Sequence, residues 1–153
     1  QKMGAKKILE DSLINTYYDF PSLTLKNENK LLRVREYSDK TELTLKKKIS
    51  KEKTKIEEEI QLEISNPKEM HYILTELGLT PLRRTEKKRI SYQWNQTHVD
   101  IDFYAGIPPF LEVEAPTEQL VEEMVKKLGF TMKDTKPWTG KDVFKHYGKP
   151  FTK

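Results

Sequence analysis

One feature constrains this chain more than any other: a period-two alternation of apolar and charged residues that recurs in segment after segment. In LLRVREY, from Leu31 to Tyr37, Leu32 and Val34 take one parity and Arg33 and Arg35 the other. In ELTLKKK, from Glu42 to Lys48, Leu43 and Leu45 oppose Glu42, Thr44, Lys46 and Lys48. In KIEEEIQLEI, Ile56, Ile60, Leu62 and Ile64 oppose Lys55, Glu57, Glu59, Gln61 and Glu63. In VDID, Val99 and Ile101 oppose Asp100 and Asp102, and in FLEVE, Leu111 and Val113 oppose Glu112 and Glu114. Lys87 and Arg89 share a parity as well. Side chains alternate across a β-strand, so each segment reads as a strand with one apolar and one charged face.

The remaining elements follow from local signals. LINTYYDF, from Leu13 to Phe20, has the aromatic and β-branched content of a strand, ended by Pro21. The strands over 31–37 and 42–48 form a hairpin across Ser38-Asp39-Lys40, and a longer strand runs from about Lys53 to Ile64. Asn66-Pro67 opens a helix with the stripe Met70, Ile73, Leu74 and Leu77, which Gly78 stops. Strands at about 80–94, 97–104 and 109–114 follow, the first two joined near Asn95. A second helix begins near Thr117, faces the core with Leu120, Val121, Met124, Val125 and Leu128, and stops at Gly129. Both helices end in Leu-Gly-apolar, which suggests a repeated unit of helix plus strands. A last helix covers 139–147, and residues 1–10 read as the tail of a helix with a turn near Asp11. The sum is an α+β fold, a largely antiparallel sheet with a few helices, in a single domain over 1–153.

Composition narrows what the charged faces do. Apolar and charged residues are nearly equal, 35% and 34%, which asks for charge inside the fold as well as outside. The net charge of +4 comes from 28 basic and 24 acidic residues with the signs interleaved, so a nucleic-acid partner is not expected. With no cysteine there is no disulfide framework or thiolate metal site, and the cytoplasm is the expected compartment. No apolar run reaches membrane-spanning length, and no membrane partner is expected.

The charges are sorted: bases on the early strands and on 87–89, acids on 57–63 and 100–114. If the sheet curls into a barrel, the charged face becomes a lumen. Such a lumen is costly by itself, and a polyanion with divalent cations would satisfy both signs. Arginine forks suit phosphate, lysine adds point charge, and carboxylates hold Mg²⁺ or Mn²⁺ through oxygen.

The motifs in their order resemble the CYTH superfamily, the triphosphate tunnel metalloenzymes. NTYYDFPSLTLKNENKLLRVR is similar to that family's tyrosine-rich strand, loop and R-x-R strand, and ELTLKKK to its T-L-K strand. EKKRISY is similar to its K-x-R strand, and VDIDFYAGIPPFLEVEAP to its Asp strand, glycine turn and E-x-E strand. The resemblance implies an antiparallel β-barrel with packed helices. It implies phosphate contacts from Arg33, Arg35, Lys46, Lys87, Arg89 and, at one mouth, Lys141. It implies Mg or Mn held by Asp102, Glu112 and Glu114, with Glu57 and Glu59 as accessory lumen acids. The family also opens with an E-x-E-x-K strand. None precedes Gln1 here, so the expected barrel is open or incomplete by its first strand, with 1–10 as the helix after it.

The implied activity is metal-dependent action on a triphosphate such as ATP, thiamine triphosphate or inorganic triphosphate. The reaction is either class IV adenylate cyclase chemistry or triphosphatase hydrolysis. The alternative is a non-catalytic binder of polyphosphate or nucleotide. Lys48, Glu63 and Asp100 are expected at the rim or surface. His71 is expected in solvent, and Trp94 and Trp138 in turn or core packing. KKKISKEKTK, 46–55, reads as a solvated hairpin turn.

Overall fold

The computed structural model describes residues 4–51 and 55–151, with side chains of Lys51 and Lys55 outside that description. The start of the strand expected from Lys53 therefore lies outside the described residues. Among them are seven strands: β1 Lys6–Asp19, β2 Lys30–Glu36, β3 Thr41–Lys51, β4 Lys55–Glu63, β5 Thr80–Trp94, β6 Thr97–Phe103 and β7 Phe110–Glu114. They form one antiparallel sheet in the order β4-β3-β2-β1-β5-β6-β7. Four α-helices accompany it: α1 Thr24–Asn27, α2 Pro67–Glu76, α3 Glu118–Lys127 and α4 Gly140–His146. The α+β expectation is met. By contacts the chain divides into two compact units, 1–12 with 87–149 (the first unit) and 13–86 with 150–153 (the second).

In the second unit, the β2–β3 hairpin has the register that parity demands: Arg33 opposite Thr44, Val34 opposite Leu43, Arg35 opposite Glu42. The apolar face carries the core. Tyr18, Val34, Leu74 and Leu79 are buried together, with Phe20, Leu25, Leu32, Leu43 and Met70 packed on them. Of the stripe expected on α2, Leu74 is buried and Met70 packs, whereas Ile73 and Leu77 stay exposed. The apolar face of β4 is also uncovered, with Ile56, Ile60 and Leu62 each more than half exposed. His71 corrects another expectation. It is partly buried, with Nδ1 hydrogen-bonded to the Tyr18 hydroxyl and Nε2 3.9 Å from Glu36.

Buried Asp19 organises the turn after β1. Its Oδ1 accepts from the backbone N–H of Phe20 (2.8 Å) and Leu25 (2.9 Å), and its Oδ2 from that of Lys26 (3.0 Å). Helix α1, which the sequence did not announce, is thereby capped by a residue five positions upstream of its start.

In the first unit, Val99, Ile107, Met124, Val125, Val143 and Phe144 are buried. Tyr104 stacks on Phe110 and meets Phe144 edge-on, with centroids 6.0 and 5.1 Å apart. Residues 6–10 are strand, not the expected helix tail, and no turn interrupts β1 at Asp11. Lys88 of β5 bonds Glu10 of β1 at 2.8 Å, so pairing with a distant strand overrides the weak local helix preference of KKILE.

The expected repeat of helix plus strands is not met: β5 follows α2, whereas a 3-10 turn at Met132–Asp134 and then α4 follow α3. The two helices α2 and α3 are alike at their caps and stop glycines. Both run ten residues and start with a side-chain cap: Asn66 accepts from Glu69 N–H, and Thr117 from Leu120 N–H, each at 3.3 Å. Both end at a left-handed glycine, Gly78 (φ 85°) and Gly129 (φ 87°). The next N–H closes the turn, Leu79 onto the Leu74 carbonyl and Phe130 onto that of Val125, each at 3.0 Å. A side chain with a Cβ would be strained in that conformation.

Candidate functional site

Charged side chains gather on the strands of each unit. In the second unit, alternation places Asn15 and Tyr17 of β1 on the face that carries Arg33 and Arg35 of β2, Thr44 and Lys46 of β3, and Glu59 and Gln61 of β4. Arg33 is buried, yet its contacts are long. Nη2 lies 3.3 Å from the Thr44 hydroxyl and 3.9 Å from a Glu59 oxygen, and Nε is buried with no acceptor among the described residues. Burial, then the neighbouring charge of Arg35, lowers the proton affinity of Arg33 below the ordinary arginine value. Arg35 donates to Asn15 Oδ1 at 2.8 Å and to Tyr37 Oη at 3.4 Å. Lys46 is held by Glu59 at 2.6 Å and stands 3.8 Å from Glu57. Burial pushes the Glu59 carboxyl upward, but the Lys46 hydrogen bond and the charges of Lys46, Arg33 and Arg35 leave it below the usual range. Arg33, Arg35, Lys46, Glu57 and Glu59 are thus brought together on one face.

The first unit holds a tighter cluster. Asp102, with no exposed side-chain surface, accepts from Lys87 Nζ (2.5 Å), Arg89 Nε (2.6 Å) and Arg89 Nη2 (2.7 Å). Arg89 also donates to Glu112 at 2.6 Å and pairs with Asp100 through Nη1. Lys87 lies over the Tyr104 ring, 5.5 Å from its centroid. Burial works against the charge on Arg89, but the Asp102 hydrogen bond and the charges of Glu112, Asp102 and Asp100 raise its proton affinity above the ordinary value.

Asp100 is a correction. It was expected at the rim and is buried against Arg89, directly opposite Glu112. Lys48 and Glu63 are exposed, as expected. Glu114 is exposed opposite His98, and Lys141 is exposed in the first turn of α4. Trp94 lies under Lys127 at 4.2 Å and Trp138 beside His146 at 5.0 Å, consistent with packing roles. Sequence reasoning passed over Arg83, whose signal was available, because counting back by twos along β5 from Lys87 reaches it.

The carboxylates of the first unit offer only oxygen, the donor Mg²⁺ and Mn²⁺ take. Among the described residues, however, no three carboxylates or imidazoles are spaced as a ready metal cage. The donor chemistry fits, and Arg89 stands among the donors. No helix among the described residues is long and apolar enough to cross a membrane.

Comparison with known proteins adds the lineage. A conserved hypothetical protein from Pyrococcus furiosus superposes with a TM-score of 0.77 at 21% identity, covering 94% of this chain and 88% of its own. A Vibrio parahaemolyticus protein described as a candidate adenylate cyclase superposes at 0.78, with 17% identity over 92% of this chain and 84% of its own. A Hippeastrum protein, described as a candidate adenylyl cyclase with a dominant triphosphatase activity, gives 0.63 and 20% identity over 94% of this chain and 85% of its own. No curated protein sequence matches the chain. These identities establish a shared fold. The sequence profile of the CYTH domain matches residues 1–137, and on that match the chain belongs to the CYTH domain family.

Proposed function

We propose that this chain binds the polyphosphate of a triphosphate compound and acts on it with a divalent cation. The observation that carries the reading is Arg33: a buried guanidinium whose Nε has no acceptor and whose nearest carboxylate oxygen is 3.9 Å away. A buried cation left so loosely paired is costly, and a phosphate oxygen supplies the missing charge-assisted bonds. Arg35 and Lys46 add charge on the same face, with Glu57 and Glu59 as accessory acids. The family resemblance would add Lys87, Arg89 and Lys141 of the first unit as phosphate contacts, the first two only by exchanging the carboxylates that already hold them. Asp102, Glu112 and Glu114 would hold Mg²⁺ or Mn²⁺, and the cation would offset charge on phosphate oxygens.

Two reactions are consistent with these roles. In hydrolysis, water attacks the terminal phosphorus, the bond from that phosphorus to the bridging oxygen breaks, and the diphosphate leaves, with orthophosphate as the second product. In cyclisation, the ribose 3′ hydroxyl of ATP attacks the α-phosphorus and pyrophosphate leaves. Both descriptions occur among the fold relatives, the triphosphatase activity in the Hippeastrum protein and the cyclase designation in that of Vibrio. Incubation with ATP and Mn²⁺, followed by product separation, tests the proposal. Cyclic AMP with pyrophosphate marks cyclisation, and free phosphate marks hydrolysis. Binding of tripolyphosphate with no turnover of any triphosphate would leave the second reading, a non-catalytic binder. That reading is favoured by the closed pairing of Asp102 with Lys87 and Arg89. Absence of both binding and turnover would overturn the proposal.

A further inference from the structure

Arg83 stands apart from the other bases of the second unit. Its guanidinium carbon lies 4.1 Å from the Tyr17 ring centroid and 4.6 Å from that of Phe151, near the C-terminal end of the described chain. Ring contact engages the face of a guanidinium and leaves its N–H edge to a hydrogen-bonding partner. Among the described residues that edge has none: Nε is buried without an acceptor, and no carboxylate pairs with the group. Its neighbour Arg84 shows the contrast, being bonded to Glu86.

Tyr17 connects this position to Arg33. The two residues face each other in the β1–β2 register, and Arg33 has the same buried, unpartnered Nε. One tyrosine is therefore flanked by two arginines that each present a spare donor. Aromatic rings hold a cation through their quadrupole without neutralising it, whereas a carboxylate would cancel its pull on an anion.

We infer that Arg83 is a further phosphate-binding residue, donating to the same polyphosphate that Arg33 holds, with Tyr17 and Phe151 fixing its guanidinium. The inference rests on the proposed role of Arg33 and extends it to a residue outside the R-x-R and K-x-R motifs. It also gives the C-terminal Phe151 a task, as one wall of a ligand contact.

The test is a titration of the full chain with tripolyphosphate, followed through the side-chain Nε–H signals of arginine by NMR, with R33K and R83K for assignment. The expected result is that the Arg83 and Arg33 signals shift together and saturate at the same concentration. R83Q should weaken binding about tenfold or more, as the loss of a charge-assisted hydrogen bond implies, with its thermal midpoint within a few degrees of wild type. R83K should recover part of the affinity. A purely structural role would move the midpoint and leave the affinity of the folded fraction alone. If Arg33 shifts and Arg83 does not, the inference is overturned and the functional proposal stands. If Arg83 shifts alone, the shared site is overturned and the role given to Arg33 fails with it. If neither shifts, both fail. Should R83Q not fold, the wild-type spectra still decide.

Discussion

Arg89 and Arg33 are buried to nearly the same degree, 7% and 6% exposed, and live in opposite electrostatic surroundings. Three carboxylates converge on Arg89, and their field raises its proton affinity in spite of burial. Among the described residues Arg33 meets one distant carboxylate and a second arginine, and burial, then the charge of Arg35, lowers its proton affinity. A cation surrounded like Arg89 is already neutralised by the protein. A cation placed like Arg33 leaves free energy to be gained from an anion that the protein does not supply. The comparison teaches that charge on a strand face is not by itself a binding site. What matters is whether the fold has already satisfied it.

The largest effect expected from this contrast is on stability. Asp102→Asn removes the negative charge that holds both Lys87 and Arg89, and removing one partner from such a buried group costs about 3–5 kcal/mol. Chemical denaturation checks this, and a loss under about 1 kcal/mol would show that Asp100 and Glu112 suffice. Arg33→Met should behave differently, changing stability by no more than about 1 kcal/mol, because it deletes a poorly paired charge and replaces it with apolar volume. A large destabilisation of that variant would erase the distinction between the units.

A smaller effect concerns pH. The Glu59 carboxyl lies below its ordinary value of 4.5 in the folded chain. Such a group contributes stability above its unfolded value and loses that contribution as pH falls through the folded one. Stability should therefore drop below about pH 4.5, and Glu59→Gln should flatten part of that slope. Unfolding midpoints measured at neutral pH and at pH 3 decide it, since identical slopes in the two proteins would mean that Lys46 and Glu59 do not interact as described.

Legibility in the sequence followed the range of the interaction that fixes each element. The β2–β3 hairpin, α2 and α3 were readable because alternation, an Asn or Thr cap and a stop glycine lie within a dozen residues of one another. The first half of β1 was not, because its pairing partner β5 is some eighty positions away and KKILE carries no strong preference of its own. The same logic applies to the charged residues. Parity placed Asp100 and Asp102 on one face, but their burial depends on Arg89 reaching both, and a one-strand pattern holds no such information. Arg33, Arg35, Lys46 and Glu59 were found because each sits in a doubled motif. Arg83 shares the parity of Lys87 but lies outside the doubled motif, and its ring contacts, Tyr17 and Phe151, are far off in sequence.

The central claim is that the second unit keeps Arg33 and Arg35 short of acidic partners so that a polyphosphate can complete them. Calorimetric titration of tripolyphosphate into wild type and into the Arg33→Ala, Arg35→Ala double variant tests it most directly, with thermal melts run on both. The account predicts saturable binding by wild type, a drop in affinity of about a hundredfold in the double variant, and a far smaller change in its melting temperature. Equal affinity in the two proteins, or a collapse of the fold with binding retained in what stays folded, would contradict it.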